Sequence, residues 1–260
     1  MSIEELAPIA ILGSYTFFVV LDLATPARAF PRMRLWRTKG LAFFVLGMVI
    51  NIALPLLWGP ALSALAPLDL SGLGTVPGAL VGVLASTFVG YWFHRAQHRF
   101  TWLWRMGHQL HHSAERVDVW GAFLFHPVDT VVVLGIQTVL LAVLGLSPDA
   151  VALAGIASFF FAVSQHANVR TPRWLGYLLQ RPESHCVHHQ RGLHAHNYSD
   201  LPIWDLAFGT FQNPESWSGE AGFEDGASER TLAMLAFANV SSADASTPTA
   251  ARHELAGGAR

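Results

Sequence analysis

The chain has 260 residues, of which 52% are apolar and only 13% charged, and 16 Lys and Arg against 18 Asp and Glu give a formal net charge of −2. A soluble domain carries about a quarter charged residues, so this chain has too few to coat a water-facing surface, and its composition also excludes disordered, collagen-like and disulfide-rich secreted proteins. The single cysteine, Cys186, excludes an internal disulfide and any zinc or iron–sulfur site built on several cysteines.

Five uncharged stretches predict membrane-spanning helices, because each has about 16 to 18 residues and about 20 apolar residues cross a bilayer core. They are Leu6–Leu21, Leu41–Trp58, Val76–Phe93, Thr130–Leu146 and Val151–Asn168. Only Ser147–Asp149 separates the last two, so a shallow hairpin is an alternative to two spans, and four to five segments are expected. The first stretch follows the acidic Glu4 and Glu5, which favours a retained span over a cleaved signal peptide. Buried helices of a soluble protein are disfavoured by the scarcity of charge.

The basic residues occur in only some of the connecting segments. They lie within Arg28–Lys39, Arg95–Arg116 and Arg170–Arg191, whereas Gly59–Thr75 and Ser147–Asp149 contain no Lys or Arg. If the spans alternate in direction, all these positive charges lie on one side, which the positive-inside rule makes cytoplasmic. We therefore expect an integral membrane protein of the bacterial inner membrane. No basic stripe indicates a nucleic-acid partner.

This pattern predicts an all-α membrane bundle with a cytoplasmic, histidine-rich di-metal cap. Residues 1–90 are expected to form N-terminal transmembrane helices, and residues 91–213 a catalytic region that includes the membrane hairpin 130–168. Residues 214–240 form a short amphipathic segment, in which we expect one helix over Ser228–Phe237 with Ser228 as its N-cap. Residues 241–260, rich in Ser, Ala, Thr and Gly, read as a flexible tail.

Most of the 13 histidines are clustered at the expected cytoplasmic ends of the spans. The motifs HRAQH, HQLHH and HCVHH, together with the end of the fifth stretch, contain His94, His98, His108, His111, His112, His185, His188, His189 and His166. Positions i, i+3 and i+4 share a helix face, so these imidazoles can converge. A zinc site takes about four ligands, so nine imidazoles indicate two adjacent metal ions. Neutral imidazole does not distinguish zinc, copper, iron and nickel.

The remaining polar residues near these motifs have weaker assignments. His126, in FHP, is an additional ligand candidate, His194 and His196 are expected to be solvated or hydrogen-bonded to ligands, and His253 belongs to the tail. Carboxylates are expected to orient the imidazoles by accepting their N–H groups, with helix-surface or capping positions as an equal alternative. These residues are Glu115, Asp118, Asp129, Glu183 and Asp205.

Two further features bear on chemistry and placement. Arg95 stands in HRAQH where a zinc protease has its catalytic Glu, so the motif lacks a general base. Aromatic residues flank the first two motifs and are expected to form an interfacial belt rather than a substrate pocket. They are Trp92, Phe93, Phe100, Trp102 and Trp104.

Taken together, HRAQH, HQLHHSAE, FHP, PESHCVHH, NYS and IWDLAFGTF resemble the fatty acid hydroxylase superfamily, which includes sterol desaturases and alkylglycerol monooxygenase. The resemblance runs from about Tyr91 to Phe211. It implies an integral membrane, non-haem di-iron enzyme in which the nine histidines named above bind metal and carry catalysis. Some members have a further histidine four residues before His166; Ala162 stands there, so one iron is expected to be a ligand short or completed by water. Asn197, in NYS instead of the usual NYG, is a candidate partner of a ligand.

The activity implied by this resemblance is the hydroxylation or desaturation of a sterol or fatty acyl lipid, with two Fe ions, O₂ and two external electrons. No flavin, haem or NAD(P)H motif is present, so we expect a ferredoxin or cytochrome b5-type donor, which the basic face is suited to steer. Ether cleavage, as in alkylglycerol monooxygenase, is an alternative outcome. A histidine-rich metal transporter is an alternative of another class, but it would place its ligands at mid-bilayer. The oligomeric state stays open.

Overall fold

The computed structural model describes residues 2–63 and 67–241, and no β-strand occurs in these ranges. Its α-helices are α1 (Ile3–Ala24), α2 (Trp36–Ser63), α3 (Thr75–Arg99), α4 (Thr101–Leu103), α5 (Gln109–His112), α6 (Pro127–Leu144), α7 (Pro148–His166), α8 (Pro182–His188), α9 (Pro202–Ala207) and α10 (Thr231–Leu235). A π-helical turn covers Trp104–His108, and short 3₁₀ helices cover Ser71–Leu73, Val119–Gly121, Arg173–Tyr177 and Ala227–Arg230. Of the expected tail, only Ser241 lies within the described residues, and His253 lies outside them.

The five apolar stretches are confirmed as helices. By length and composition α1, α2, α3, α6 and α7 are each able to cross a membrane. Large apolar side chains point outward from them, among them Leu56, which is 75% exposed, and Leu57. Such a continuous outward apolar surface is typical of helices that contact lipid.

Local chemistry determines where these helices begin and end. Ser2 and Glu5 form a capping box at the start of α1. The α6 helix ends at Leu144 rather than Leu146, because Gly145 takes a left-handed conformation with φ 60°. The α7 helix ends at His166, since Asn168 turns away and donates its backbone N–H to a carboxylate of α1.

The long helices alternate in direction, with α7 packed against α1 and α3, and α2 against α6. At one end of the bundle, the N–H of Ile3 donates to Asp149 over 3.0 Å, and the N–H of Leu70 lies 3.2 Å from the carbonyl of Leu144. The turn between α6 and α7 therefore reaches the same level as the start of α1 and the segment that precedes α3. The hairpin of α6 and α7 therefore extends along the bundle as far as α1 and α3 do.

The opposite end of the bundle carries the cap, which we define as residues 100–126 and 167–241. Asp22, near the end of α1, joins the two parts of the cap by accepting the N–H groups of Val119 over 2.9 Å and Asn168 over 2.6 Å. The basic segment between α1 and α2 lies at this same end, as do the ends of α3 and α7. The basic segment and the histidines therefore lie at the same end of the bundle, as the sequence predicts.

The C-terminal part of the cap differs from the prediction. Instead of one helix over Ser228–Phe237, a 3₁₀ turn over Ala227–Arg230 precedes the short α10. Ser228 does not cap a helix, because its hydroxyl donates to Glu115 over 2.5 Å. This segment still buries an apolar face, in which Met234 packs against a cluster that includes Trp104.

Two glycines of α2 provide a test of this packing. A Cβ at Gly40 would collide with the carbonyl of Trp120, whereas a Cβ at Gly47 meets nothing within 4 Å. We expect Gly40→Ala to lower the stability of the fold by about 1 to 3 kcal/mol through overpacking and Gly47→Ala to change it little. The midpoint of thermal unfolding in detergent measures both. Equal midpoints for the two variants would contradict the close approach of α2 to the cap.

Candidate metal centre

Nine histidines meet beneath the cap in two groups. The five-histidine group consists of His94, His98, His108, His112 and His188, and the four-histidine group consists of His111, His166, His185 and His189. Within each group, one ring nitrogen of every member lies within 4.8 Å of those of the others. The structure thus brings together all nine residues that the sequence analysis named as ligands.

The division between the groups cuts across the sequence motifs. In HQLHH, His108 and His112 belong to one group and His111 to the other. In HCVHH the assignment is the opposite: the i, i+4 pair His185 and His189 belongs to the four-histidine group, and His188 belongs to the five-histidine group. The cause is helical geometry: adjacent residues diverge by about 100°, so the i, i+4 pair points one way and the histidine between them turns aside. HQLHH and HCVHH therefore each contribute to both groups, whereas HRAQH contributes only to the five-histidine group.

The spacing of the ring nitrogens fits metal ligation. The Nε2 atoms of neighbouring rings are 3.3 Å apart for His94 and His98, and 3.1 Å for His108 and His112. In the four-histidine group the corresponding separations are 2.9 to 3.2 Å. Two nitrogens bound to one ion at about 2.1 Å, with an angle between right and tetrahedral, lie about 3.0 to 3.4 Å apart. The residues present therefore fit one metal ion in each group.

Burial makes these imidazoles suitable ligands. It holds the pKa of His108, His111 and His112 well below the usual value, and burial has the same effect on the pKa of His185, His188 and His189. Neutral imidazole is the form that binds metal, so no proton competes with the ion near neutral pH. The Nε2 of His188 is buried and has no protein partner, which a bound ion would supply.

One loop, residues 194–198, binds three of the ligand candidates through the outward ring nitrogen, which is the nitrogen that faces away from the centre of the group. The carbonyl of Tyr198 accepts a hydrogen bond from the Nδ1–H of His94 over 2.7 Å. The carbonyl of His196 accepts one from the Nδ1–H of His188, also over 2.7 Å. The ring of His98 donates to the carbonyl of the third residue, His194. Acceptors at this position fix the tautomer and the orientation of a ligating imidazole. Three alternate carbonyls of one loop thus serve a single group.

The 194–198 loop has an unusual backbone that other residues stabilise. His194, His196 and Asn197 have φ values of 40°, 66° and 48°, in the left-handed region that non-glycine residues seldom adopt. Asp205 accepts the N–H of Tyr198 over 2.8 Å and also that of Ser199. The amide of Asn197 donates to the carbonyls of residues 184 and 212. Asn197 and Asp205, predicted to contact a ligand, therefore act on the backbone of this loop.

Two glutamines that the sequence analysis did not single out, and the predicted carboxylate Asp129, lie close to other ligand candidates. Gln180 lies 2.8 Å from Nδ1 of His185, and its amide oxygen can accept that N–H if the amide is oriented accordingly. Asp129, held by Gln97 over 2.5 Å, lies 3.6 Å from Nδ1 of His108. Amide side chains carry no sequence signal for this role, which explains why Gln97 and Gln180 were missed.

The four-histidine group contains His166, the residue for which a further ligand was expected to be missing. The backbone carbonyl of Ala162 accepts Nδ1 of His166 over 2.7 Å. The side chain of Ala162 has no ligand atom, and the group has one imidazole fewer than its neighbour.

Three of the predicted carboxylate partners bind elsewhere in the cap. Glu115 accepts from Ser228, Asp118 accepts from the indole of Trp36, and Glu183 accepts from Thr171. Glu183 also pairs with arginines, 3.1 Å away in the nearer case. Among the described residues, none of these three carboxylates bonds to an imidazole. They hold the cap segments to one another, since buried carboxylates need partners wherever they lie.

His126 lies outside both groups. It caps α6, because its Nδ1 accepts the N–H of Val128 over 3.1 Å and Pro127 begins the helix. Its Nε2 lies 3.2 Å from the carbonyl of Leu235, so the ring also holds the C-terminal segment.

Trp104 departs from its predicted surroundings, and His194 retains only one of its two predicted placements, the one beside the ligands. Trp104 does not belong to an interfacial belt: it is buried, and its ring lies 5.2 Å from that of His98 and 5.3 Å from that of His112. Trp102, at 65% exposure, is the one of this aromatic set that is most open. His194 is not solvated, being only 5% exposed. The π-helical turn places Trp104 inward, and only the folded cap reveals it.

Comparisons with known proteins agree with this site. The family model described as Fatty acid hydroxylase matches residues 79–210, which contain all nine histidines of the two groups. Ornithine lipid hydroxylase OlsE of Rhizobium tropici is 32% identical over 163 residues, which cover 60% of this chain and 49% of that protein. The chain thus spans about half the length of this curated relative. No solved structure matches.

The division of the motifs gives a sharp test of the two groups. The double variant His108→Ala/His188→Ala removes ligands from two motifs but from one group, and His185→Ala/His189→Ala removes two ligands from the other group. Because a site that loses two imidazoles binds its ion weakly, we expect about one metal ion per chain in each double variant and none in the quadruple variant.

Metal analysis of the protein purified in detergent measures these contents. The alternative, in which each motif holds its own ion, has a different outcome. The His108→Ala/His188→Ala protein would then lose both ions, and this result would contradict the two groups.

Proposed function

The chain belongs to the fatty acid hydroxylase family, and we propose that it is an integral membrane, di-iron enzyme that hydroxylates a lipid. The observation that carries the proposal is the pair of buried histidine groups at one end of five apolar helices. A site of this kind lies where the acyl chains of a membrane lipid can reach it. A metal transporter is disfavoured because its ligands would lie at mid-bilayer, and here they lie at helix ends.

The two groups would hold one iron ion each. Bound iron would supply activation of O₂, so that one oxygen atom enters a C–H bond and the other leaves as water, at the cost of two external electrons and two protons. The protein supplies neutral nitrogen ligands and fixes them through backbone carbonyls, chiefly those of the 194–198 loop.

Aromatic rings around the site would exclude water from the reaction. Phe125 stacks on His111 with ring centroids 4.2 Å apart, and Trp104 covers His98 and His112. An apolar surround of this kind limits solvent access to the metals and hinders loss of the oxidant to side reactions. It also favours an apolar substrate over a soluble one.

The name of the relative points to hydroxylation and to the substrate class. OlsE is described as an ornithine lipid hydroxylase, so we propose that this chain inserts oxygen into ornithine lipid or a related membrane lipid. The substrate would enter laterally from the bilayer. Desaturation and ether cleavage need the same oxidant and are therefore the competing outcomes of the experiment below.

We place the metal centre on the cytoplasmic side of a bacterial inner membrane. The support is the basic segment between α1 and α2, which lies at the same end as the histidines. Electrons would come from a ferredoxin or cytochrome b5-type protein. Exposed basic residues of that segment, such as Arg32 and Arg34, are suited to attract an acidic donor.

Lipid mass spectrometry of a host with and without the protein tests the reaction. We expect a lipid whose mass rises by one oxygen atom, with the label incorporated when ¹⁸O₂ is supplied, and no such product with His111→Ala. Gly47→Ala, which contacts nothing new, serves as the active control. Loss of two hydrogens would instead show desaturation, and an unchanged lipid profile would contradict the proposal.

The purified protein offers an independent check on the cofactor. We expect about two irons per chain and no Soret absorption, because no haem is required. A Soret band, or the absence of bound iron after anaerobic reconstitution, would contradict a non-haem di-iron centre.

A further inference from the structure

We propose that the imidazole of His194 is a positioning residue for the five-histidine group: it accepts the Nδ1–H of His112 and so orients that ligand. The inference rests on the proposed function in that it requires a metal ion in this group. It assigns a role to a tenth histidine that belongs to neither group.

The first observation is that one histidine of the group has neither a hydrogen-bond partner nor a carboxylate facing its outward ring nitrogen. Within the five-histidine group, His94, His98 and His188 each donate to a carbonyl of the 194–198 loop. The Nδ1 of His108 lies 3.6 Å from Asp129. Among the described residues, the Nδ1 atoms of His108 and His112 are both buried without a hydrogen-bond partner, and only that of His108 faces a carboxylate. When His112 binds metal through Nε2, its proton resides on Nδ1 and needs an acceptor.

The second observation is the ring of His194 itself. It is 5% exposed, and both of its nitrogens are buried without a hydrogen-bond partner among the described residues. Its centroid lies 5.2 Å from that of His112, with the two rings nearly perpendicular at 81°. A neutral imidazole has one bare nitrogen. The two rings make no direct hydrogen bond in the structure, so this nitrogen would accept the Nδ1–H of His112 through one water molecule or after a small rotation of either ring.

Packing alone does not account for a histidine at this position. The ring lies against Trp104, with centroids 5.8 Å apart, and against Phe223, with centroids 5.2 Å apart. An apolar side chain would fill this space without burying two unpartnered nitrogens. The backbone does not favour histidine over glycine or asparagine either, because φ is 40°. A polar partner explains the ring, and His112 is an unpartnered imidazole of the group whose ring lies against it.

His194 would then act on two ligands of the same ion. Its carbonyl already accepts from the ring of His98, and that contact survives any side-chain substitution that keeps the backbone in place. Its ring would add the contact to His112. Side-chain variants therefore isolate the second role from the first.

The experiment uses the His185→Ala/His189→Ala protein, in which only the five-histidine group keeps all its ligands. Cobalt(II) is added to the purified, metal-free protein, since its visible absorption reports the geometry of the ligands. The variants are His194→Leu, which fills the space without an acceptor, and His194→Asn, which keeps an acceptor and tolerates a left-handed backbone. Should His194→Leu not fold, His194→Phe replaces it.

His196→Leu is the matched control. His196 lies in the same loop, has φ 66°, and offers its carbonyl to His188, but its own ring bonds to the carbonyl of Thr210. We expect His194→Leu to alter the cobalt spectrum and to speed the loss of cobalt to a chelator by about tenfold or more, the usual effect of removing a ligand's partner. His194→Asn and His196→Leu should stay close to the parent protein.

Three results would overturn the inference. An unchanged cobalt spectrum and an unchanged rate of cobalt loss in His194→Leu would show that His194 contributes only to packing. The substitution would then affect only the thermal stability of the metal-free protein. Equal defects in His194→Asn and His194→Leu, or in His196→Leu, would show that disturbance of the loop is the cause. If the parent double variant binds no cobalt, the metal centre of the proposed function fails, and this inference fails with it.

Discussion

The convergence of nine imidazoles, seven of them buried, is the constraint on which the rest of this structure depends. The Nε2 atoms of five neighbouring pairs lie 2.9 to 3.3 Å apart. Neutral rings in this arrangement direct lone pairs at common points, which positive ions would stabilise. The same arrangement leaves each outward nitrogen in need of an acceptor. The arrangement is therefore suited to metal ions on the inside and to a polar frame on the outside.

The cap supplies that frame mostly through its backbone. Carbonyls of the 194–198 loop serve three ligands, and Asp205 holds the loop by accepting two of its N–H groups. The left-handed residues in the loop carry a conformational cost, which alternate carbonyls aimed at one metal site would offset. Carboxylates elsewhere in the cap, such as Glu115 and Glu183, hold its segments together. Backbone acceptors add no negative charge to the centre, so metal ions bound there would keep their full attraction for electrons.

The membrane helices place this centre at the edge of the apolar layer. Asp22 ties the end of α1 to both parts of the cap, and α3 and α7 end in ligands. Phe125 and Trp104 then shield the imidazoles from water. A metal centre with an apolar surround, at the end of helices whose outer faces are apolar, would suit a lipid better than a soluble substrate. The proposed reaction follows from this position as much as from the ligands.

Apolar runs, charge and motif spacing are local properties, so the five long helices, the sorting of basic residues to one end and the nine ligand candidates were predictable from the amino-acid sequence. The division of the nine histidines was not, since His111 and His188 leave their motif partners for the other group when the chain folds. The tertiary structure also decided that Trp104 and His194 are buried beside the ligands, and that His126 caps a helix. These outcomes depend on which segments meet across the bundle and on the backbone φ of single residues. Helical periodicity places neighbours on one face, but the fold decides what that face meets.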